Sequence, residues 1–266
     1  MTEDARSGQR ATAAPSSAAP EVITLPSPAD VAGAAAERFV ALAAAAVAAR
    51  GRFTVALSGG STPKALYARL AVPACASRID WTRVHVFWGD ERCVPPDDAS
   101  SNFRMAREAL LDHVPVPAAQ VHRLRGEDDP TAAAAAYERE LRGAFPDGAA
   151  RFDLVLLGMG DNGHTASLFP RLSAVRETAR WVVAERVDEV GMWRLTLTPP
   201  ALNGAAAVVF LVAGRDKAAM LARVLEGPRD IDLLPVQAVA PVDGTVTWLI
   251  DAAAAAQLAR GRRPSS

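Results

Sequence analysis

Short apolar runs recur along this chain, each running into a glycine-rich or polar loop and then a helical pattern. That alternation restricts the fold more than any other feature. Val22–Leu25, Phe53–Leu57, Val84–Trp88, Phe152–Leu157, Ala207–Val212 and Val246–Ile250 read as strands. Phe152–Leu157, apolar but for Asp153 and bounded by Gly158, has the pattern of a parallel strand buried on both faces. Ser27 is placed to cap a helix with Pro28 in its first turn, running to about Arg50 with Gly51 just beyond. A second helix opens at Pro63, Ser101 to Leu111 has helical spacing, and Asp129–Pro130 opens another. Gly214 to Leu225 is amphipathic, with Gly227–Pro228 as its stop. Trp193–Leu197 adds a strand, and an alanine-rich helix is expected after Ile250. Strands alternating with helices predict parallel pairing through right-handed crossovers, an α/β fold with a mainly parallel sheet flanked by helices. There is no repeat at solenoid periods and no linker long enough to divide the chain. A single domain is therefore expected over 21–260, with 1–20 disordered by composition and 261–266 a tail.

The charge balance narrows the partners. A formal net charge of −1, with no basic tract except Arg260–Arg263, argues against a general nucleic-acid surface, which needs clustered cations. A small anionic ligand needs only a local pocket and stays open. Two cysteines, Cys75 and Cys93, are too few for a disulfide scaffold or a zinc site and point to a reducing cytoplasm. Residues 1–20 hold no apolar core of a signal peptide. The alanine-rich runs read as too weakly apolar and too interrupted by charge to span a bilayer. No membrane partner is expected, and a monomer is the default.

Four constellations carry the possible chemistry. The first is Gly158 to Pro170, GMGDNGHTASLFP, leaving the Phe152–Leu157 strand. Glycine lets backbone approach a ligand closely, and in open α/β sheets ligands lie beyond the carboxyl ends of strands. His164 is placed there, with Asp161 and Asn162 just before it, as a general base. A structural histidine is the bland alternative, and it is the reading given to His85, His113 and His122. The second is Ser58–Gly59–Gly60–Ser61–Thr62–Pro63, where a glycine pair and a helix start turn amides and a positive dipole end towards one point. It reads as a phosphate cradle, or as an ordinary turn with Thr62 as N-cap; the Gly-Lys-Ser/Thr ending of a P-loop is missing.

The third is Asp90–Glu91–Arg92, again after a strand. Alone the triplet favours a surface ion-pair cluster, but at a ligand edge Arg92 would hold a phosphate or stabilise an oxyanion. The fourth is Gly214–Arg215–Asp216–Lys217–Ala218. Lys217 in a first helical turn opposes the dipole preference and suggests a neighbouring anion, with a solvated lysine as the alternative. Arg194, within a strand, faces either solvent or the pocket. No His, Cys, Asp and Glu spacing compels a metal site.

Taken in order, SGGSTP, WGDERCVP, SNFRMAREALL, GMGDNGHTASLFP, WRLTLTPPALN and GRDKA resemble the 6-phosphogluconolactonases, across about Val22 to Ala252. These are grouped with glucosamine-6-phosphate isomerases in one family. The resemblance implies a Rossmann-like fold akin to glucosamine-6-phosphate deaminase and ribose-5-phosphate isomerase. It also implies hydrolysis of 6-phospho-D-glucono-1,5-lactone, the second step of the oxidative pentose phosphate pathway, with no organic cofactor and no required metal. By position it implies a 6-phosphate on Ser58, Gly59, Gly60, Ser61 and Thr62 with Lys217, helped by Arg194. Arg92 would serve catalysis or binding, and His164 would activate water. The family loop commonly has Asp-Gly-His where this chain has Asn162–Gly163–His164.

Two rival readings are separable. Glucosamine-6-phosphate deaminases carry an acid five residues after the histidine, and here that residue is Phe169. A non-catalytic sugar-phosphate sensor would keep the cradle and dispense with the base, whereas His164 and Arg92 are both present.

Overall fold

The structure, a computed structural model, describes residues 19–259. The expectations for most of 1–20 and for 261–266 lie outside those residues. β1 (Glu21–Leu25) leads into α1 (Pro28–Arg50), whose start and stop follow the predicted local signals. The Ser27 hydroxyl accepts from Asp30 N at 3.3 Å, and Gly51 closes the helix at φ 72°. Then come β2 (Phe53–Leu57), α2 (Ser61–Ala71), α3 (Pro73–Ala76), β3 (Val84–Trp88), β4 (Asp90–Arg92), α4 (Asn102–Ala109) and α5 (Pro130–Ala144). β5 (Leu154–Leu157), β6 (Val182–Val187), β7 (Met192–Leu197), α6 (Pro199–Leu202), β8 (Ala207–Val212), α7 (Ala218–Glu226) and β9 (Thr245–Asp251) complete the order.

Six strands form one sheet in the order β1-β9-β8-β5-β2-β3, and every neighbouring pair is parallel. β2, β5 and β8 are buried along their whole length, as an apolar strand covered on both faces must be. From β2 the chain moves outward to β3 on one side and through β5, β8 and β9 on the other. The direction of winding therefore reverses between β2 and β5, which opens a crevice at the carboxyl ends of those two strands. The Ser58 and Gly158 loops both leave the sheet there.

Three features differ from the sequence expectations. Asp90–Arg92, expected only as the end of the Val84–Trp88 strand, is a separate strand, β4, at the edge of a three-stranded antiparallel sheet β4-β7-β6. The residues after Gly214 first form a 3-10 turn, Arg215–Lys217, so α7 begins only at Ala218 and Lys217 immediately precedes it. The alanine-rich segment after β9 makes a single 3-10 turn, Ala254–Gln257, rather than a helix within the described residues.

The membrane expectation needs correction as well. α1 has a window of mean hydropathy 1.6 and by length and composition alone is apolar enough to cross a bilayer. Its stripe of Val31, Ala35, Phe39, Ala43 and Ala46 is instead buried in the core, where α1 packs on β9 and β2 and Phe39 meets Phe53 edge-on at 5.2 Å.

Candidate active site

The glycine turn after β2 delivers α2 to the crevice without a side-chain cap. Gly60, at φ 109°, is the N-cap residue, so Thr62 does not cap as the ordinary-turn alternative requires. The Ser61 and Thr62 amides at the start of α2 therefore keep their donors free of intrahelical partners, and the positive end of the helix faces the cleft. Ser58 Oγ is buried beside them with no hydrogen-bond partner. Gly59 admits no side chain, because a Cβ there would lie 2.0 Å from Asn102 Oδ1. Across the cleft, Lys217 Nζ pairs with Asp161 Oδ1 and stands 3.7 Å from Asp216 Oδ2. These groups line a cleft of about 420 Å³ that also reaches Asp90, Arg92, Asn102 and His164.

His164 is fixed by contacts on three sides. Phe169 stacks on its ring with centroids 4.2 Å apart. Gly160 lies so close that a Cβ would fall 2.0 Å from Nδ1. On the remaining side Nδ1 lies 2.7 Å from Asn162 Oδ1. The direction of that last bond can be deduced. His164 N–H donates to the same Asn162 atom at 3.1 Å, which must then be the oxygen, while Asn162 Nδ2 donates to the Glu189 carboxylate at 3.2 Å. An amide oxygen only accepts, so Nδ1 carries a proton, and in the neutral ring Nε2 is then the nitrogen that keeps its lone pair. Burial pushes the His164 pKa below its ordinary value of 6.5; Asp90 and Glu189 oppose that shift, while Lys217 and Arg194 reinforce it. A neutral imidazole with a free Nε2 is the form a general base requires.

The antiparallel sheet supplies the charges around the ring. Arg92 on β4 and Arg194 on β7 are cross-strand partners, and both have a buried Nε without a partner. Burial and the neighbouring Arg92 hold the Arg194 pKa below its usual value. Arg92 Nη1 donates to Ser100 O. Both arginines line a second chamber of about 270 Å³, which shares Asp90, Arg92, His164 and Ala166 with the larger cleft. Asp90 is buried, accepting from Ser167 Oγ at 2.7 Å and from Asn102 Nδ2 at 3.3 Å. Glu91 is buried too and accepts from Arg92 N, Asn102 N, Phe103 N and Ser101 Oγ, so it anchors the start of α4 and hence Asn102. Cys93 behaves as a packed thiol, its pKa pushed up to about 11 by burial.

The fold thus brings together Ser58, Gly59, Gly60, Ser61, Thr62, Arg92, His164 and Lys217 in one cleft. It separates Arg194 from the cradle it was grouped with and seats it in the adjoining chamber beside His164. It turns the Asp161 carboxylate to Lys217, whereas Asn162 holds the histidine. The triplet Asp90–Glu91–Arg92 is no surface ion-pair cluster, since its two acids are buried on neutral donors. Sequence reasoning gave no role to Asp90, Asn102, Phe169 or Glu189. Asp90 and Asn102 stood inside recognised motifs, but Glu189 had no signal of its own. Among the described residues, no group of three or more His, Cys, Asp or Glu is arranged to hold a metal ion.

A family model described as glucosamine-6-phosphate isomerases/6-phosphogluconolactonase matches residues 26–248. The chain is 45% identical over 213 residues to a 6-phosphogluconolactonase of Nostoc sp., covering 79% of this chain and 86% of the relative. It is 43% identical over 235 residues to a 6-phosphogluconolactonase of Mycobacterium tuberculosis, covering 85% and 93% respectively. The solved structure of 6-phosphogluconolactonase from Trypanosoma cruzi superposes with a TM-score of 0.80 at 30% identity, covering 92% of this chain and 98% of that one.

Proposed function

The chain belongs to the glucosamine-6-phosphate isomerase/6-phosphogluconolactonase family. We propose that it hydrolyses 6-phospho-D-glucono-1,5-lactone to 6-phospho-D-gluconate, using His164 to activate water. The observation that carries this reading is the His164 ring, with Nδ1 held by Asn162 and Nε2 free, at the junction of two polar chambers.

The phosphate is held by the α2 amides, Ser61, Thr62 and Lys217, which leaves the lactone carbonyl towards His164. Nε2 takes a proton from water as the water oxygen bonds to the carbonyl carbon. Arg92 and Arg194 stabilise the oxyanion that forms, because preorganised donors in a partly dry site act most strongly on developing charge. The tetrahedral intermediate collapses, the bond from that carbon to the ring oxygen breaks, and the leaving oxygen takes the proton from the imidazolium. The product carboxylic acid then ionises. A lactone is already an activated ester, so a positioned base and charge stabilisation suffice without a covalent nucleophile.

The deaminase alternative is less well supported, because the position five residues after the histidine is Phe169, stacked on the ring and without a carboxylate. Both cysteines are free, which suits the cytoplasm. The deciding experiment measures lactone hydrolysis above the spontaneous rate for wild type and His164→Ala. A loss of roughly 10²–10⁴-fold in kcat is expected for a missing base. The acidic limb of kcat/KM for wild type should lie below pH 6.5, since burial lowers the pKa of His164 and a base works only when neutral. Wild-type turnover in His164→Ala would refute the assignment, and deamination of glucosamine 6-phosphate without lactone hydrolysis would favour the alternative.

A further inference from the structure

We propose that Glu189 is the positioning carboxylate of this site, acting on His164 through the side-chain amide of Asn162. The inference rests on His164 being the base. Glu189 sits in the turn Asp188–Val190 between β6 and β7, and Gly191 closes that turn at φ 61°. Its two carboxylate oxygens lie 3.4 and 3.2 Å from Asn162 Nδ2, and the Oδ1 of the same amide lies 2.7 Å from His164 Nδ1. A continuous chain therefore runs from a negative charge through an amide to the ring.

That chain selects the tautomer. If the Asn162 amide were reversed, its NH₂ would face Nδ1, the ring would have to accept there, and its proton would move to Nε2. Such an imidazole has no lone pair for water. The Glu189 carboxylate only accepts, so it favours the orientation in which Oδ1 faces the ring; His164 N–H favours the same orientation from the other side. The carboxylate also polarises the amide, as one hydrogen bond in a chain strengthens the next. Loops of this kind that carry Asp at position 162 would bring the charge directly. Here the loop's own acid, Asp161, is paired with Lys217, and the charge reaches the histidine from a different element.

His164 is surrounded by charges from every side. Asp90 on β4, Arg194 on β7, Lys217 before α7 and Glu189 on the β6–β7 turn all influence it. Asp161 on its own loop and Arg92 on β4 line the same chambers. Asp90 and Glu189 favour the imidazolium, and the cations oppose it. Removing the Glu189 charge therefore moves the acidic limb to lower pH.

The test compares Glu189→Ala and Glu189→Gln in the wild-type and Asn162→Asp backgrounds, with kcat, KM and the pH profile measured against spontaneous hydrolysis. In the wild-type background Glu189→Ala should lower kcat by about 2- to 10-fold, the worth of one ordinary hydrogen bond. KM should be retained and the acidic limb should move down. Glu189→Gln keeps an acceptor for the amide, so it should lose less kcat while moving the limb in the same direction. In the Asn162→Asp background the new carboxylate accepts from Nδ1 itself, and Glu189 becomes a like charge beside it. The loss from Glu189→Ala should there vanish or turn into a gain. Nitrogen NMR of the ring should show the Nε2-protonated tautomer growing in Glu189→Ala. No change in kcat in the wild-type background, or an equal loss in both backgrounds, would overturn the inference. Full activity in His164→Ala would instead bring down the base assignment beneath it, so the two failures are distinguishable.

Discussion

Gly160→Ala probes the His164 ring without replacing it. The methyl group would meet His164 Nδ1 at 2.0 Å, Cε1 at 2.1 Å and Cγ at 2.8 Å. To open 2.0 Å to the 3.4 Å at which ordinary contact begins, the ring must retreat by about 1.4 Å. It has little freedom to do so, because Phe169 stacks on it and Asn162 holds its Nδ1 edge. Gly160 is not at positive φ, so the substitution carries no backbone penalty of its own. A misplacement of about 1 Å can cost about 10²-fold, and losing the base altogether costs about 10²–10⁴-fold, so kcat should fall by about 10²–10³-fold. Overpacking of this kind lowers stability by about 1–3 kcal/mol, which thermal unfolding would register without loss of the fold. Binding of 6-phosphogluconate should be largely retained, since the cradle lies across the cleft. The decisive comparison is the double variant: in a His164→Ala background the ring is gone, and Gly160→Ala should cost little more. Near-wild-type kcat in Gly160→Ala, or an undiminished further loss on top of His164→Ala, would refute the reasoning.

Lys217→Ala should weaken binding of 6-phosphogluconate by about 1.5–3 kcal/mol, the scale of a charged hydrogen bond, and leave binding of unphosphorylated gluconate almost unchanged; calorimetry with both ligands checks this. Asp161→Ala frees Lys217 from its ion pair, and because an exposed pair is worth at most about 1 kcal/mol, 6-phosphogluconate should bind up to about fivefold tighter. His164 and His85 both have pKa values lowered by burial from 6.5. The unfolded chain then binds more protons, so their contribution to stability is present above pH 6.5 and is lost as pH falls towards the folded values; denaturant midpoints across that range test the sign. Exhaustive chelation should leave lactone hydrolysis intact, and loss with recovery on one added metal would contradict this.

The elements that could be read from the sequence are those with local causes. Ser27, Pro28 and Gly51 bound α1 by capping chemistry, and β2, β5 and β8 announce themselves as apolar runs. β4 and β6 could not be read this way. β4 is three charged residues whose strand character exists only through pairing with β7, a partner distant in sequence. The same cause hid the position of Arg194, since the face it presents is set by register against Arg92. His164, Lys217 and the Ser58–Thr62 turn were legible because each follows the carboxyl end of a strand, where any ligand of such a sheet lies. Asn102 and Glu91 were not, because their roles are tertiary: a buried carboxylate anchors a helix start, and that start presents an amide to Asp90 and Gly59. Glu189 stands in a turn with neighbouring acids, and nothing local separates it from a solvated surface residue.

The charges around His164 are opposed rather than absent, and this decides how the base responds to substrate. Burial, Lys217 and Arg194 all favour the neutral imidazole, while Asp90 and Glu189 pull the other way. A phosphate brought to Lys217 competes with Asp161 for the same ammonium. If the 6-phosphate is seated there as proposed, it adds negative charge to that side of the cleft and offsets the Lys217 charge that lowers the basicity of His164. On the proposed mechanism the ring then becomes a stronger base as the phosphorylated lactone arrives. Arg194 is out of reach of that phosphate, because it lies in the other chamber, whereas Arg92 lines both. Arg194 therefore keeps its charge for the proposed oxyanion. On that reading, two chambers sharing one histidine let the substrate's own charge at one end strengthen the base while Arg194 at the other still stabilises the oxyanion.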